Sequence, residues 1–181
     1  MIVVKVGGSL YDLPDLGERL RRFLSQLGTS CLVVPGGGAT ADVVRAFDRD
    51  HGLGPTAAHW LALRACTMNA WFLRELLPMS EIVEGPQRCP ALGILDPHAF
   101  ALADEGRAGC LPHDWSATSD SVAARVAEVS GADLVLLKSV DIEGDDWERT
   151  AREGLVDPIF PVIVARAGLC VRAVNLRRWR G

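Results

Sequence analysis

The chain opens with Met1-Ile-Val-Val-Lys5-Val-Gly-Gly-Ser9, from which the class of fold can be predicted. Residues 2–6 are apolar except for Lys5, which is typical of a strand buried on both faces, and Gly7-Gly8-Ser9 predicts a tight turn after it. Apolar side chains then recur at helical spacing from Asp12 to Leu27, with charges on the opposite face. Strand, glycine turn and helix in this order form the opening unit of a parallel α/β sheet.

The same alternation continues along the chain. We predict a second strand at Cys31–Val34, a long apolar helix at about Thr56–Leu77, a clear buried strand at Asp133–Lys138 and a last strand at Cys170–Leu176. Strands that alternate with helices favour a mainly parallel sheet with helices on both faces. We therefore expect a three-layer αβα sandwich, with residues 1–181 as a single domain.

The remaining segments of the chain are less clearly patterned. The polar, acidic stretch Ser139–Arg152 is predicted to be a turn segment, and a helix is expected near Asp157–Ala167. The stretch Gly85–Trp115 is rich in Gly and Pro, so its path cannot be predicted from hydrophobic periodicity.

Composition excludes several classes of protein. With 49% hydrophobic and 23% charged residues, the chain has ordinary globular usage. A net charge of −4 offers no basic face for nucleic acid. No apolar stretch approaches the ~20 residues that span a bilayer, and the N-terminus lacks a basic leader followed by a cleavable apolar segment. We expect a soluble cytoplasmic protein with no nucleic-acid or membrane partner.

The cysteines give no sign of a disulfide framework or a zinc site. The 5 cysteines are odd in number and scattered, without CxxC spacing. Cys110, His113 and Asp114 are ligand-type residues close together, but no second pair lies at a matching distance. We assign no metal ligand.

Lysine is rare in this chain. Of the 19 basic residues, only Lys5 and Lys138 are lysines, and each lies near or at the carboxyl end of a predicted buried strand. Arginine serves wherever surface charge is needed, so a lysine at these positions indicates a need for a compact ammonium on a flexible stem. Phosphoryl transfer often has that need. Chance placement left by codon bias is the alternative.

Three loops are predicted at the carboxyl ends of the strands, where ligands bind in such sheets. They are Lys5–Ser9, Pro35-Gly36-Gly37-Gly38 and Lys138–Asp141. Glycines let main-chain N–H groups approach an anion closely, and helices that begin after them direct their positive ends to the same place. Each glycine cluster alone is also explained by a tight turn. Together they favour a polyphosphate site.

Asp120 follows Thr118 and Ser119 at a predicted helix start. Its ordinary role there would be to interact favourably with the helix dipole. Its functional role would be to hold two lysine ammoniums in register across a transferring phosphoryl group.

These motifs together resemble the amino acid kinase family, which includes acetylglutamate, aspartate, uridylate and isopentenyl phosphate kinases. The resemblance lies in Val4–Ser9, Val34–Gly38, Thr118–Ala124 and Ala132–Asp141. It implies ATP and Mg²⁺ as cofactors.

The resemblance also implies a role for each matching residue. Lys5 would contact the phosphoryl group in flight, Asp120 would organise the site, and Lys138 would match a second lysine of the uridylate and isopentenyl phosphate branches. The remaining implied contacts are with ATP phosphates at Gly7, Gly8 and Ser9, with the acceptor at Gly36, Gly37 and Gly38, and with the nucleotide at Ser139 and Asp141.

The chain departs from the family pattern after Lys138. The family usually supplies a further lysine there, and this chain has none. We therefore expect a shortened nucleotide-binding part. Three stretches are similar to archaeal-type kinases that phosphorylate an aminomethylfuran phosphate in methanofuran biosynthesis: Ala58–Ala62, Asp157–Pro161 and Val174–Leu176. Taken alone, a histidine such as His59 is more often a core or interface residue than a ligand.

The sequence supports three functional hypotheses. The first is an ATP-dependent kinase that transfers the γ-phosphoryl group to a phosphate or carboxylate oxygen of a small acidic metabolite, for instance a furan phosphate. The second is a nucleotide- or oxyanion-binding module without catalysis. The third is a carbamate or acyl phosphate kinase working in the ADP-consuming direction. Because the long helix carries apolar groups on more than one side, we expect a homodimer.

Overall fold

The sheet has six strands, and every neighbouring pair is parallel. The structure is a computed structural model that describes residues 1–181 apart from the side chain of Arg88. The strands are β1 Ile2–Val6, β2 Cys31–Pro35, β3 Glu81–Val83, β4 Leu92–Leu95, β5 Asp133–Lys138 and β6 Val171–Asn175. Their spatial order is β3-β4-β2-β1-β5-β6. The predicted mainly parallel α/β fold is confirmed.

Helices lie between the strands and cover the sheet. They are α1 Leu16–Gln26, α2 Gly38–His51, α3 Pro55–Leu76, α4 Pro97–Asp104, α5 Ser119–Ser130, α6 Trp147–Arg152 and α7 Phe160–Ala167. None of these helices is both long and apolar enough to cross a bilayer, as far as the described residues go.

Two apolar cores lie on opposite faces of the sheet. Val4 and Val6 pack with α1 in one core, and Val3 packs with α5 in the other. Successive side chains of a strand point to opposite faces, so Lys5 lies on the α5 side with Val3. The same alternation places Lys138 on that side, two residues beyond the buried Leu136. The two lysines therefore share a face because of strand periodicity alone.

The last third of the chain differs from the prediction in two places. The segment 139–152 is not turn throughout, because α6 begins at Trp147. Asp146 caps this helix by accepting a hydrogen bond from the Arg149 N–H, and the Trp147 ring packs edge-on against Phe160 at 5.3 Å between centroids. The next helix, α7, begins at Phe160 rather than at Asp157. Asp157 instead lies before it, with a carboxylate that accepts from the Phe160 N–H.

Strand order determines where the candidate loops meet. β1 lies between β2 and β5, so the loops that follow these three strands are neighbours at the carboxyl edge of the sheet. α2 begins in the second of these loops, and α5 starts close to the same edge.

Candidate active site

Lys5, Asp120 and Lys138 form one buried ionic cluster. The Asp120 carboxylate lies 2.8 Å from Lys5 Nζ and 2.8 Å from Lys138 Nζ, so it bridges the two ammoniums. The Lys138 ammonium also donates to the Leu155 carbonyl oxygen at 2.6 Å. All three charged residues are less than a tenth exposed. Residues far apart in the chain thus meet because β1 and β5 are neighbours and α5 begins over their ends.

The cluster keeps one uncompensated positive charge, since two ammoniums face one carboxylate. Burial alone would raise the pKa of the Asp120 carboxyl, but the Lys5 and Lys138 ammoniums outweigh it and hold that pKa below its usual range. Burial, together with the charge of Lys5, lowers the pKa of Lys138 to about 8 despite the opposing effect of Asp120. An incoming anion would restore the balance of charge at this point.

The two glycine loops pack directly against each other. A Cβ atom on Gly8 would lie 2.1 Å from the Gly38 nitrogen, and one on Gly36 would lie 2.5 Å from the Gly8 nitrogen. Glycine is therefore required here for close approach of two backbones, in addition to any approach to a ligand. The N–H groups of Gly7 and Gly36 donate to the Leu137 and Val6 carbonyl oxygens, at 2.8 and 2.9 Å. Because these two N–H groups are already bonded, an anion would have to be bound by other N–H groups of the two loops.

Side chains that the sequence prediction missed hold the second glycine loop in place. Asn69, buried on α3, donates from Nδ2 to the carbonyl oxygens of Gly36 and Gly37, at 2.8 and 2.7 Å. The Tyr11 hydroxyl donates to the same Gly36 oxygen at 3.0 Å. Because α3 also carries other polar residues, such as Arg64 and Thr67, the identity of Asn69 alone did not indicate this role.

Ser139 and Asp141 lie apart from each other at the edge of the site. The hydroxyl groups of Ser9 and Ser139 are 2.9 Å apart, so Ser139 connects the loops after β1 and β5. Asp141 faces outward, where it accepts from Asn175 at 3.0 Å and pairs with Arg178 at 2.6 Å. The structure thus brings Ser139, but not Asp141, to the glycine loop.

A cleft of about 170 Å³ opens in front of Lys5 and Asp120. Its outer wall contains Arg45 from α2, His59 from α3 and Trp115 from the loop before α5. The Arg45 guanidinium stacks over the Trp115 ring at 4.5 Å, and the Trp115 indole N–H donates to Asp48 at 3.0 Å. The sequence prediction missed Arg45 and Trp115. A signal existed for Arg45, because Gly38, Ala41 and Arg45 recur on one face of α2 and all line the cleft.

His59 is buried at this wall. Its ring stacks on His113 with centroids 4.8 Å apart, and the His113 ring nitrogen lies 2.9 Å from a Glu105 carboxylate oxygen. Burial, helped by His113, lowers the pKa of His59 to about 4, so this ring is neutral at pH 7. His113 therefore contacts both the ring of His59 and the carboxylate of Glu105.

Among the residues whose side chains are described, no three His, Cys, Asp or Glu groups gather around a common point that could hold a metal ion.

The sequence pattern of the amino acid kinase family matches residues 1–144 of this chain. The (5-(aminomethyl)furan-3-yl)methyl phosphate kinase of Methanocaldococcus jannaschii is 25% identical over 154 residues, covering 80% of this chain and 67% of that protein. A uridylate kinase of Pyrobaculum calidifontis is 31% identical over 151 residues, covering 82% of this chain and 66% of that protein. The chain thus spans about two thirds of each relative.

Solved structures share the fold. A UMP kinase from Bacillus anthracis superposes with a TM-score of 0.68 at 15% identity, covering 98% of this chain and 87% of that one. A uridylate kinase from Archaeoglobus fulgidus gives a TM-score of 0.63 at 18% identity, covering 96% of this chain and 90% of that one. At these identities the likeness concerns the fold alone.

Proposed function

This chain belongs to the amino acid kinase family, a family of phosphotransferases, and from that premise we propose that it is an ATP-dependent kinase of a small acidic metabolite. The γ-phosphoryl group would pass to a phosphate or carboxylate oxygen of the acceptor. The observation that carries the proposal is the buried cluster in which Asp120 bridges Lys5 and Lys138.

The chemistry of this cluster suits phosphoryl transfer. Such a reaction depends on positioning and on neutralisation of charge at the transferring group. Lys5 and Lys138 would face the equatorial oxygens, while Asp120 keeps both ammoniums in place. An acceptor oxygen of a phosphate or carboxylate is already ionised, so its attack needs no general base. The bond from the γ-phosphorus to the bridging oxygen breaks as the new P–O bond forms, and ADP leaves.

The nucleotide side of the site is proposed to be the loop Gly7-Gly8-Ser9 together with Ser139. Ser9 and Ser139 lie within hydrogen-bonding distance of each other, which places two hydroxyl groups beside the glycine turn. Mg²⁺ would arrive with ATP, because Mg²⁺ is usually held by substrate phosphates with few protein ligands. The part of the chain that follows Lys138 would supply the rest of the nucleotide-binding region.

The acceptor side is proposed to be Gly36, Gly37 and Gly38 with the wall formed by Arg45, His59 and Trp115. Arg45 offers a planar guanidinium that suits an anionic group of the acceptor. The neutral His59 and the indole of Trp115 offer surfaces for a flat ring. Both named relatives are kinases of phosphorylated compounds, so we propose a phosphate monoester as acceptor, with a furan phosphate as the first candidate.

ADP formation over a panel of acceptors tests this function. The panel contains furan phosphates, UMP, other phosphate monoesters and carboxylates, each with ATP and Mg²⁺. We expect turnover with at least one phosphate monoester, and loss of about 10³-fold or more in turnover for a folded Lys5→Ala variant. Normal turnover in that variant would refute the role of Lys5.

The panel also separates the alternative hypotheses. Calorimetric binding of ATP without ADP formation on any acceptor would favour a nucleotide- or oxyanion-binding module. ATP formation from ADP with carbamoyl or acetyl phosphate would favour a kinase that works in the ADP-consuming direction.

We propose that the assembly is a homodimer formed through α3. Met68, Trp71 and Phe72 on this helix are 57%, 53% and 40% exposed. Large apolar side chains that cluster on one exposed helix face indicate a contact surface.

All five cysteines are free thiols, which fits our proposal of a reducing compartment such as the cytoplasm.

A further inference from the structure

We infer that Asp157 is a positioning residue of the ionic cluster: through the segment Leu155–Asp157, hereafter the strap, it fixes both Lys138 and the start of α5 from which Asp120 projects. This inference deepens the proposed function. Its first test nevertheless measures a lysine side chain rather than turnover, so it can succeed or fail independently of kinase activity.

Asp157 is a buried carboxylate that takes hydrogen bonds from five donors. It accepts from the Thr118 N–H and hydroxyl, each at 2.8 Å, and from the Ser121 N–H at 3.0 Å. It also accepts from the Ser121 hydroxyl and, at 3.0 Å, from the Phe160 N–H. Five donors on one carboxylate leave little freedom of movement to Asp157 or to the residues that donate to it.

These bonds replace the ordinary cap of α5. The N–H of the third helical residue, here Ser121, is usually satisfied by the side chain of the N-cap residue. Thr118 occupies the N-cap position without making that bond, and its hydroxyl donates to Asp157 instead. The start of α5 is therefore held from a distant segment. Asp120 lies between Thr118 and Ser121, so Asp157 determines where its carboxylate projects.

The strap also holds the other partner of the cluster. The Leu155 carbonyl oxygen accepts from Lys138 Nζ at 2.6 Å, two residues before Asp157. One short segment thus contacts the ammonium of Lys138 and the helix turn that carries Asp120. Loss of the Asp157 contacts would loosen both ends of the pair at once, and a displacement of about 1 Å in such a site costs about 10²-fold in rate.

The charge of Asp157 acts on Lys138 as well. The groups that face the Lys138 ammonium are Asp120 from α5, Lys5 from β1 and Asp157 from the strap, and the two carboxylates favour its charged form. Removal of the Asp157 charge therefore shifts the pKa of Lys138 further downward.

The first test measures the pKa of the Lys138 side chain by NMR. Lys5 and Lys138 are the only lysines, so ¹⁵N-labelled lysine gives two side-chain signals, which Lys5→Arg and Lys138→Arg assign. In Asp157→Asn we expect the Lys138 signal to titrate below the wild-type value of about 8. We also expect kcat, once an acceptor is known, to fall about 10²-fold with the KM for ATP little changed.

Asp104→Asn is the matched control. Asp104 is also a buried carboxylate attached to α5, through Arg125 at 2.8 and 2.9 Å, but it lies away from the cluster. We expect it to lower stability and to leave the Lys138 titration unchanged. An unshifted Lys138 titration in folded Asp157→Asn, or an equal shift in both variants, would overturn the inference.

Ser121→Ala keeps the test decisive if Asp157→Asn does not fold. It removes one hydroxyl donor from the carboxylate and leaves the charge and the backbone bonds. We expect a looser strap, seen as exchange of the Lys138 ammonium protons with water that is faster than in the wild type. Wild-type exchange in Ser121→Ala would contradict the role of the strap.

Discussion

At the scale of single residues, Lys138 combines burial with three charged neighbours. Its pKa, lowered to about 8, lies within the range in which kinases are assayed. Below this value the side chain is an ammonium that can stabilise a phosphoryl group, and above it the side chain is neutral. If Lys138 acts as proposed, the charge that serves transfer is thus lost as the pH rises.

We therefore predict that kcat/KM falls as the pH rises through about 8, because kcat/KM reports the ionisation of the free enzyme. The measurement is a pH profile of ADP formation with saturating Mg²⁺. Lys138→Arg is the control, since a guanidinium stays charged in this range. Its residual activity should show no such decline, and an identical decline in that variant would assign the titration to another group.

At the scale of elements, the contact between the two glycine loops is the most constrained part of the site. Gly8→Ala places a methyl group 2.1 Å from the Gly38 nitrogen, where only backbone can give way. We predict a loss of about 1–3 kcal/mol in the free energy of unfolding and a strong loss of activity, because the loops must separate. Denaturant unfolding and ADP formation measure the two effects.

Gly106→Ala provides the comparison for this prediction. Gly106 has a φ of +73° but open space where its Cβ would be. That variant should lose about 1 kcal/mol through backbone strain alone and should keep its activity. Equal losses of activity in the two variants would show that loop contact is not what limits the site.

Some elements of the fold could be predicted from the sequence, and others could not. Strand β1, its glycine turn and the position of Lys5 follow from local pattern, and the parallel sheet follows from the alternation of strands and helices. Helix α6 was missed because it is short and has one buried aromatic anchor, Trp147. The capping role of Asp157 was missed because its partners, Thr118 and Ser121, are distant in sequence, and no local pattern indicates such a cap.

The outer wall of the cleft illustrates the same limit. Arg45 lies on the cleft-facing side of α2, which helical periodicity could have indicated. Trp115 is the last residue of the stretch rich in Gly and Pro, and its place beside Arg45 depends on tertiary packing. Local pattern therefore predicted the residues at strand ends, and packing supplied the rest.

At the scale of the whole molecule, the exposed apolar side chains of α3 bear on assembly. We predict that the protein elutes in light-scattering chromatography at twice the 19.5 kDa mass of the chain. Trp71→Glu should shift it to the monomer mass, because a charge at the centre of an apolar contact is costly to bury. Val162→Glu, at a similarly exposed position on α7, should leave the dimer intact. A monomer in the wild type would refute this assembly.

In the proposed function, Lys5 and Lys138, joined by Asp120, bind the phosphoryl group that is transferred. The most direct measurement is a crystal structure with Mg²⁺ and a non-hydrolysable ATP analogue. We predict the γ-phosphate within about 3 Å of both lysine ammoniums, with the glycine loop against the phosphate chain. A γ-phosphate bound elsewhere, or in contact with neither lysine, would contradict it.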